Sequence, residues 1–428
     1  MKSIFALLIL CCIQMGALSQ TKLSDTEKKI IQSVTQNMSG TLQLLEESVN
    51  INSGTLNVAG VKKVGEMYAK ELEALGFTIQ WITLPDSLKR AGHLVAFRRG
   101  KKGKKLFLIG HLDTVFEPDM PFTPFTRLND STATGQGAND MKGGDVVIIA
   151  ALKALHQNGQ LTDRDITVYF TGDEENAGDP REVSRKDFID RAKQHDVALA
   201  FETAAGLNTV ATARRGSSGW YLEVEGKQAH SAGVFGTSGY GAIYEAARIL
   251  NSFRTELSKE TYLTFNPGMI VGGSEILQVG DGTGSVLGKT NIISPRTVVS
   301  GDLRFLSEAQ KEGARTKMRA IVKNNLPGTT ASIRFTDGIP AMPPTAGNAA
   351  LVNVVNEASL SLGFGEVKAG NPGARGAGDI SYVAEYLSCL DGLGASGRGA
   401  HAPGELINLA EYPQLIKRAS LLIYRLTK

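Results

Sequence analysis

Three strand-like runs in this chain each end on residues able to bind a metal or move a proton. Lys105–Gly110 (K-L-F-L-I-G) leads into His111-Leu112-Asp113. Ile166–Thr171 (I-T-V-Y-F-T) leads into Gly172-Asp173-Glu174-Glu175, and Val197–Phe201 (V-A-L-A-F) ends on Glu202. An α/β sheet builds its site at the carboxyl ends of neighbouring strands, so this pattern restricts both the fold and the place of the chemistry. Asp140 and His401 extend the set. Two histidines with three or more carboxylates suit two divalent metals that share a bridging oxygen ligand, and zinc is the natural candidate.

Around these runs the chain alternates strand and helix patterns. Apolar spacing predicts helices over Thr26–Glu47 and Val61–Leu75, the second closed by Gly76. Strands follow around Thr78–Thr83 and His93–Arg98. A strongly apolar helix is expected over Asp145–His156 and another over Arg185–Lys193, completing a doubly wound pattern. Near Arg214-Arg215-Gly216 the character changes. Strand Trp220–Glu225, helix Tyr240–Leu257, strand Tyr262–Phe265 running on towards Val271, strand Thr297–Leu306, helix Glu308–Asn325 and strand Thr330–Phe335 follow the ferredoxin-like order βαββαβ. After Asp337 the α/β pattern resumes with helices Ala349–Leu362, Ile380–Leu387 and Tyr412–Leu426. The expected fold is therefore a mixed α/β sheet flanked by helices, built from residues 20–213 and 337–428, with an α+β domain inserted over 214–336.

A length of 428 residues allows two domains, and 42% apolar with 21% charged residues is the composition of a soluble globular protein. A formal charge of +3 gives no footing for nucleic acid or an anionic membrane. The one dense basic run, Arg98 to Lys105, reads as a solvated hairpin turn between two strands. Residues 1–19 read as a signal peptide, with Lys2, an apolar Ile4–Ile13 and a small-residue cleavage site near Ser19. The protein is then exported, to the periplasm or beyond. Lipidation at Cys11 is the alternative, poorly served by Leu10 before it. Cleavage near Ser19 leaves Cys389 alone, so no intrachain disulfide forms. No stretch is long enough for a stable membrane span.

Four motifs occur in order: G-H-L-D-T-V (110–115), G-A-N-D-M-K-G-G (137–144), D-E-E (173–175) and H-A-P-G-E (401–405). From about His93 to the C-terminus the chain resembles the co-catalytic zinc metallopeptidases, which include glutamate carboxypeptidase, aminoacylase, acetylornithine deacetylase and succinyl-diaminopimelate desuccinylase. In context it is most similar to the glutamate carboxypeptidase branch. The resemblance implies a zinc-peptidase-type α/β domain and a ferredoxin-like lid that dimerises. It implies two Zn2+ per subunit, with Co2+ or Mn2+ as substitutes. Asp140 bridges them, His111 and Glu202 complete one site, and Glu175 and His401 the other. Glu174 is then the general base for the bridging water. Asp113 fixes the ring of His111, since a strand places residues two apart on one face. His230 matches a lid histidine that reaches the partner subunit's site and stabilises an oxyanion. Asn291 and Arg304 match substrate-holding lid residues, an arginine fork suiting a free carboxylate. Gly378, in G-A-G-D, matches a pocket-lining loop where many relatives carry threonine.

Taken singly, each of these residues has a blander reading. A lone H-x-D, or the pair Glu174-Glu175, is more often a solvated surface feature. Arg214 and Arg215 read as domain-junction contacts, and His93, His156 and His195 as structural. The leading function is an exported dizinc hydrolase that cleaves the amide before a C-terminal amino acid of a small peptide or N-acyl amino acid. A deacylase or dipeptidase is the alternative within the enzyme class, and a non-catalytic binding protein the alternative outside it. The side chain accepted is not written in the sequence, because pocket shape and lid closure set it.

Overall fold

The computed structural model describes residues 22–280 and 282–428; the leader read over 1–19 lies outside them. Ten strands carry the architecture, numbered here in chain order. The large sheet contains β1 (Thr78–Ile82), β2 (His93–Arg98), β3 (Lys102–His111), β4 (Arg164–Thr171), β5 (Val197–Ala200) and β10 (Ser388–Leu390). Its order is β1-β2-β4-β3-β5-β10. β4, β3, β5 and β10 run parallel. β1 and β2 are antiparallel additions at one edge, so the sheet is mixed.

Alternation along these strands explains the two layers against the sheet. Leu106, Leu108, Val168, Phe170 and Leu199 enter one apolar core with helices Asp25–Val49, Val58–Ala74, Lys142–Gln157 and Tyr412–Thr427. Their neighbours Phe107, Ile109, Tyr169, Ala198 and Ala200 enter the opposite core with Phe188 of helix Lys186–Ala192 and with Cys389. Helix Lys142–Gln157 is buried almost all round because helices Asp25–Val49 and Tyr412–Thr427 pack along it in addition to the sheet. Its continuous apolar run therefore reads as core.

The inserted block has its own sheet of β6 (Gly216–Gly226), β7 (Thr264–Gly273), β8 (Arg296–Phe305) and β9 (Thr329–Asp337), in the order β7-β8-β6-β9. All pairs are antiparallel. Helices Gly241–Leu257 and Glu308–Lys323 pack on it through a separate core around Trp220, Leu222, Ile249, Phe253, Leu303 and Met318. This is the βαββαβ arrangement expected.

Four readings need correction. β2 and β3 do not form a hairpin: β4 lies between them, and the basic run crosses beneath it, where the amides of Lys101 and Lys102 donate to the Asp163 carbonyl. Residues Ile380–Leu387 do not make a helix; Asp379–Val383 is a short 3-10 turn. Eight residues rarely offset the cost of helix nucleation, and Asp379 is held by partners outside the segment. A further antiparallel ribbon, Glu275–Gly280 with Thr283–Leu287, was not anticipated. Leu277 and Leu287 remain exposed on it, so no buried face marked it as strand. The doubly wound pattern also overlooked the antiparallel edge β1–β2.

Leu152, fully buried in helix Lys142–Gln157, should lose about 2–5 kcal/mol of stability as Leu152→Ala. Denaturant unfolding measures this, and a change well under 1 kcal/mol would contradict the packing described.

Candidate metal centre

The parallel strands end together, and their ends carry the polar residues. His111 is the last residue of β3, Thr171 the last of β4, and Glu202 stands two residues past β5. His401 arrives differently. It lies in the loop between the antiparallel segments Gly397–Arg398 and Leu406–Asn408, with a left-handed φ of 65°. Asp140 stands two residues before helix Lys142–Gln157, next to its N-cap Met141.

The five expected ligands come together as two overlapping sets, His111–Asp140–Glu202 and Asp140–Glu175–His401. Asp140 belongs to both. Its Oδ1 lies 3.4 Å from His111 Nε2, and its Oδ2 lies 3.1 Å from His401 Nε2. His111 Nε2 is also 3.8 Å from Glu202 Oε1, and His401 Nε2 is 3.2 Å from Glu175 Oε2. Glu174 stands in reach of the same space, grouped with His111 and Glu175.

These donors suit divalent cations, and the metal-free electrostatics say why. Glu175 Oε1 is buried without a hydrogen-bond partner. Burial, then the neighbouring Asp140, pushes Glu202 up to about 7, with Arg214 opposing. Burial and then Glu202 hold Glu174 well above the usual carboxylate range. The carboxylates Asp140 and Glu175 push His401 up to about 11. His111 is subject to burial, which lowers it, but Asp113 and Asp140 hold it well above its ordinary value. Protons thus stand where a cation would balance the clustered acids.

A second layer of acids aims the loops. Asp113 is past the end of β3, so the same-face argument made from strand periodicity does not apply to it. His111 Nδ1 lies 3.0 Å from the Asp113 main-chain oxygen and 3.5 Å from its Oδ1. The carboxylate mainly serves the Glu174-Glu175 loop: Oδ1 accepts the Glu174 amide at 3.0 Å, and Oδ2 accepts the Glu175 amide at 3.1 Å and the Thr55 hydroxyl at 2.6 Å. Glu405 does the same for the Asp140 loop. It accepts the amides of Asn139 and Asp140 on Oε1, at 2.6 and 2.9 Å, and that of Gly137 on Oε2 at 3.1 Å. Glu405 stands inside the quoted H-A-P-G-E motif but received no role from the sequence.

The residues expected of the inserted domain do not join this cluster. His230 is exposed in a turn, where its Nδ1 accepts the Ala232 amide at 3.2 Å. Asn291 is its neighbour: its carbonyl accepts the Ser231 amide. Arg304, on β8, pairs with Asp302 at 2.7 Å. Gly378 packs against the guanidinium of Arg214. Arg214 does hold the junction, bonding the Met342 main chain, but its side chain also enters the site: Nη1 is 2.7 Å from Asp391 and 3.9 Å from Glu202. His93 is structural, taking the Gly172 amide on Nδ1 and placing Nε2 on the Ser184 carbonyl. His195 is likewise buried, between the Arg191 carbonyl and the Thr167 hydroxyl.

Comparison with known proteins agrees with this geometry. The model of peptidase family M20/M25/M40 matches residues 107–425. The chain is 28% identical over 404 residues to carboxypeptidase G2 of Pseudomonas sp. (strain RS-16), covering 92% of this chain and 91% of that protein. It is 27% identical to the succinyl-diaminopimelate desuccinylase of Polynucleobacter necessarius subsp. necessarius (strain STIR1), covering 67% of this chain and 74% of that protein. The crystal structure of aminopeptidase PepT from Bacillus cereus ATCC 10987 superposes with a TM-score of 0.72 at 18% identity, covering 94% of this chain and 99% of that one. The chain belongs to peptidase family M20/M25/M40 and is a metal-dependent hydrolase of amide bonds.

Proposed function

We propose that the protein is an exported, dizinc, glutamate carboxypeptidase-like enzyme that hydrolyses the amide bond before a C-terminal amino acid. One observation carries the dinuclear reading: Asp140 turns its two oxygens to two different histidines, each with its own further carboxylate. His111, Asp140 and Glu202 would hold one ion, and Asp140, Glu175 and His401 the other. Bound there, the ions supply Lewis-acid activation of water and of the scissile carbonyl. Glu174 takes the proton from water and returns it to the leaving amine; its backbone, pinned by Asp113, keeps it beside the ligands without making it one.

Residues 214–336 form the lid and dimerise. His230 of one subunit serves the other subunit's site, while Asn291 and Arg304 hold the substrate carboxylate. Arg304 must exchange Asp302 for that carboxylate, a swap between two ion pairs of similar chemistry. Similarity to carboxypeptidase G2 over nearly the whole chain supports the carboxypeptidase reading. Similarity to the desuccinylase keeps N-acyl-amino-acid deacylation as its alternative. Export rests on the leader sequence, with cleavage near Ser19. Cobalt or manganese could fill the same N/O ligands.

Glu174→Gln should keep both metals while turnover falls by about 10^2–10^4-fold, measured on N-acyl amino acids and peptides ending in glutamate. Retained turnover would remove Glu174 from its role. Arg304→Ala should raise KM for substrates with a free carboxylate far more than for their amides; an equal effect on both would dismiss carboxylate capture.

Zinc binding to the metal-free protein should release protons. His401, raised to about 11, is protonated at neutral pH, and Glu202, raised to about 7, is partly so. A proton released on binding means that affinity rises with pH. Calorimetry in buffers of different ionisation enthalpy reads the release directly; proton uptake, or affinity falling from pH 6 to 8, would contradict these ligands.

A further inference from the structure

Two buried guanidinium groups meet on one short loop. Gly376-Ala377-Gly378-Asp379 is the G-A-G-D segment expected to line the substrate pocket. On one side, Asp379 Oδ1 accepts Arg185 Nε at 2.8 Å, and Oδ2 accepts the Thr171 hydroxyl at 2.6 Å. Arg185 is fully buried and turns its other end to Asp173, with Nη1 2.5 Å from Oδ1 and Nη2 3.1 Å from the carbonyl. Asp173 directly precedes the base Glu174. On the other side, the Gly376 carbonyl accepts Arg214 Nε at 2.7 Å. Arg214 Nη1 then bonds Asp391 at 2.7 Å and lies 3.9 Å from the metal ligand Glu202.

Gly378 makes the second arm possible. A Cβ there would stand 2.5 Å from Arg214 Nη1 and 2.6 Å from its Cζ. The φ of Gly378 is −175°, open to any residue, so glycine is needed for space and not for backbone shape. The volume a threonine would fill holds a guanidinium instead.

We infer that Arg185 and Arg214 are positioning residues that tie the 376–379 loop to the base on one side and to Glu202 on the other, and that Gly378 serves by admitting Arg214. A planar fork with several fixed donors is suited to such bracing, because it sets direction as well as distance. The two arms act on different groups. The Arg185 arm sets Glu174, which is not a ligand; the Arg214 arm sets a ligand.

This inference rests on the dizinc hydrolase reading, and zinc affinity tests it independently of turnover. Arg214→Met and Gly378→Thr should each weaken one of the two zinc ions by about 10- to 100-fold in chelator competition, the usual effect of losing a partner behind a ligand. Arg185→Lys and Asp379→Asn, chosen because full removal of Arg185 strands two buried aspartates, should leave both zinc affinities and KM unchanged while kcat falls tenfold or more. Gly378→Ala should fall between wild type and Gly378→Thr. Unchanged zinc binding in both Arg214→Met and Gly378→Thr overturns the ligand arm. Loss of zinc and of melting temperature together in the Arg185 and Asp379 variants reduces that arm to a structural role. If wild type hydrolyses nothing, the hydrolase reading fails and the base arm with it, while the zinc titrations still decide the ligand arm.

Discussion

Mutual repulsion among buried carboxylates is the constraint on which the rest of the site depends. Asp140, Glu174, Glu175 and Glu202 converge at one edge of the large sheet with two histidines for company. Isolated, such groups would protonate or turn outward, since the cost of stripping water from a charge is several kcal/mol. The chain therefore needs cations at the centre and stiff support around it. The support is built largely from backbone amides. Asp113 and Glu405 each accept amides from a loop that carries site acids, so the Glu174-Glu175 loop and the Asp140 loop are each clasped by a carboxylate from elsewhere in the sequence. A carboxylate is an apt clasp, because its two oxygens accept several N–H donors at once.

That division explains what could be read before the fold was seen. The parallel strands carried strong signals, as both of their faces are buried and they appear as short apolar runs. The acids and histidine at their ends were visible for the same reason. His401 had no strand to mark it: it sits on a loop with a left-handed backbone, and it entered the set as a histidine beside acids before the resemblance gave it a role. The bracing role of the two arginines had no local signal, and Arg214 read only as a junction contact. Arg185 meets Asp379 across 194 residues and Arg214 meets Asp391 across 177, and an arginine in isolation reads as surface. Asp113 shows a subtler gap. Its place behind His111 was legible, but its larger task, holding the amides of Glu174 and Glu175, depends on β3 and β4 being neighbours.

Errors of secondary structure have a similar origin. The basic run joins β2 to β3 in sequence, and adjacency in sequence favours a hairpin. What overrides it is β4, inserted between them and parallel to β3, which no local pattern announces. The Asp379 turn failed as a helix because Arg185 and Thr171 claim its first side chain. Local propensity lost to tertiary contacts in each case, and in the second the winning contact belongs to the site.

The chemistry and the recognition are held to different degrees. The Asp140 and Glu174-Glu175 loops have their amides clasped by carboxylates from elsewhere in the chain. Arg304 pairs with Asp302 and has its side chain 37% exposed, and His230 caps a surface turn. Rearranging an exposed ion pair changes stability by only about 0–1 kcal/mol, whereas moving a buried clasp leaves a charge or an amide unpaired at several times that cost. On the proposed reading, substitution at Arg304 or His230 can retune substrate capture without unpairing the buried clasps around the metal centre. On that reading, one metal centre joined to a separately packed inserted domain is free to serve different acyl and amino-acid groups.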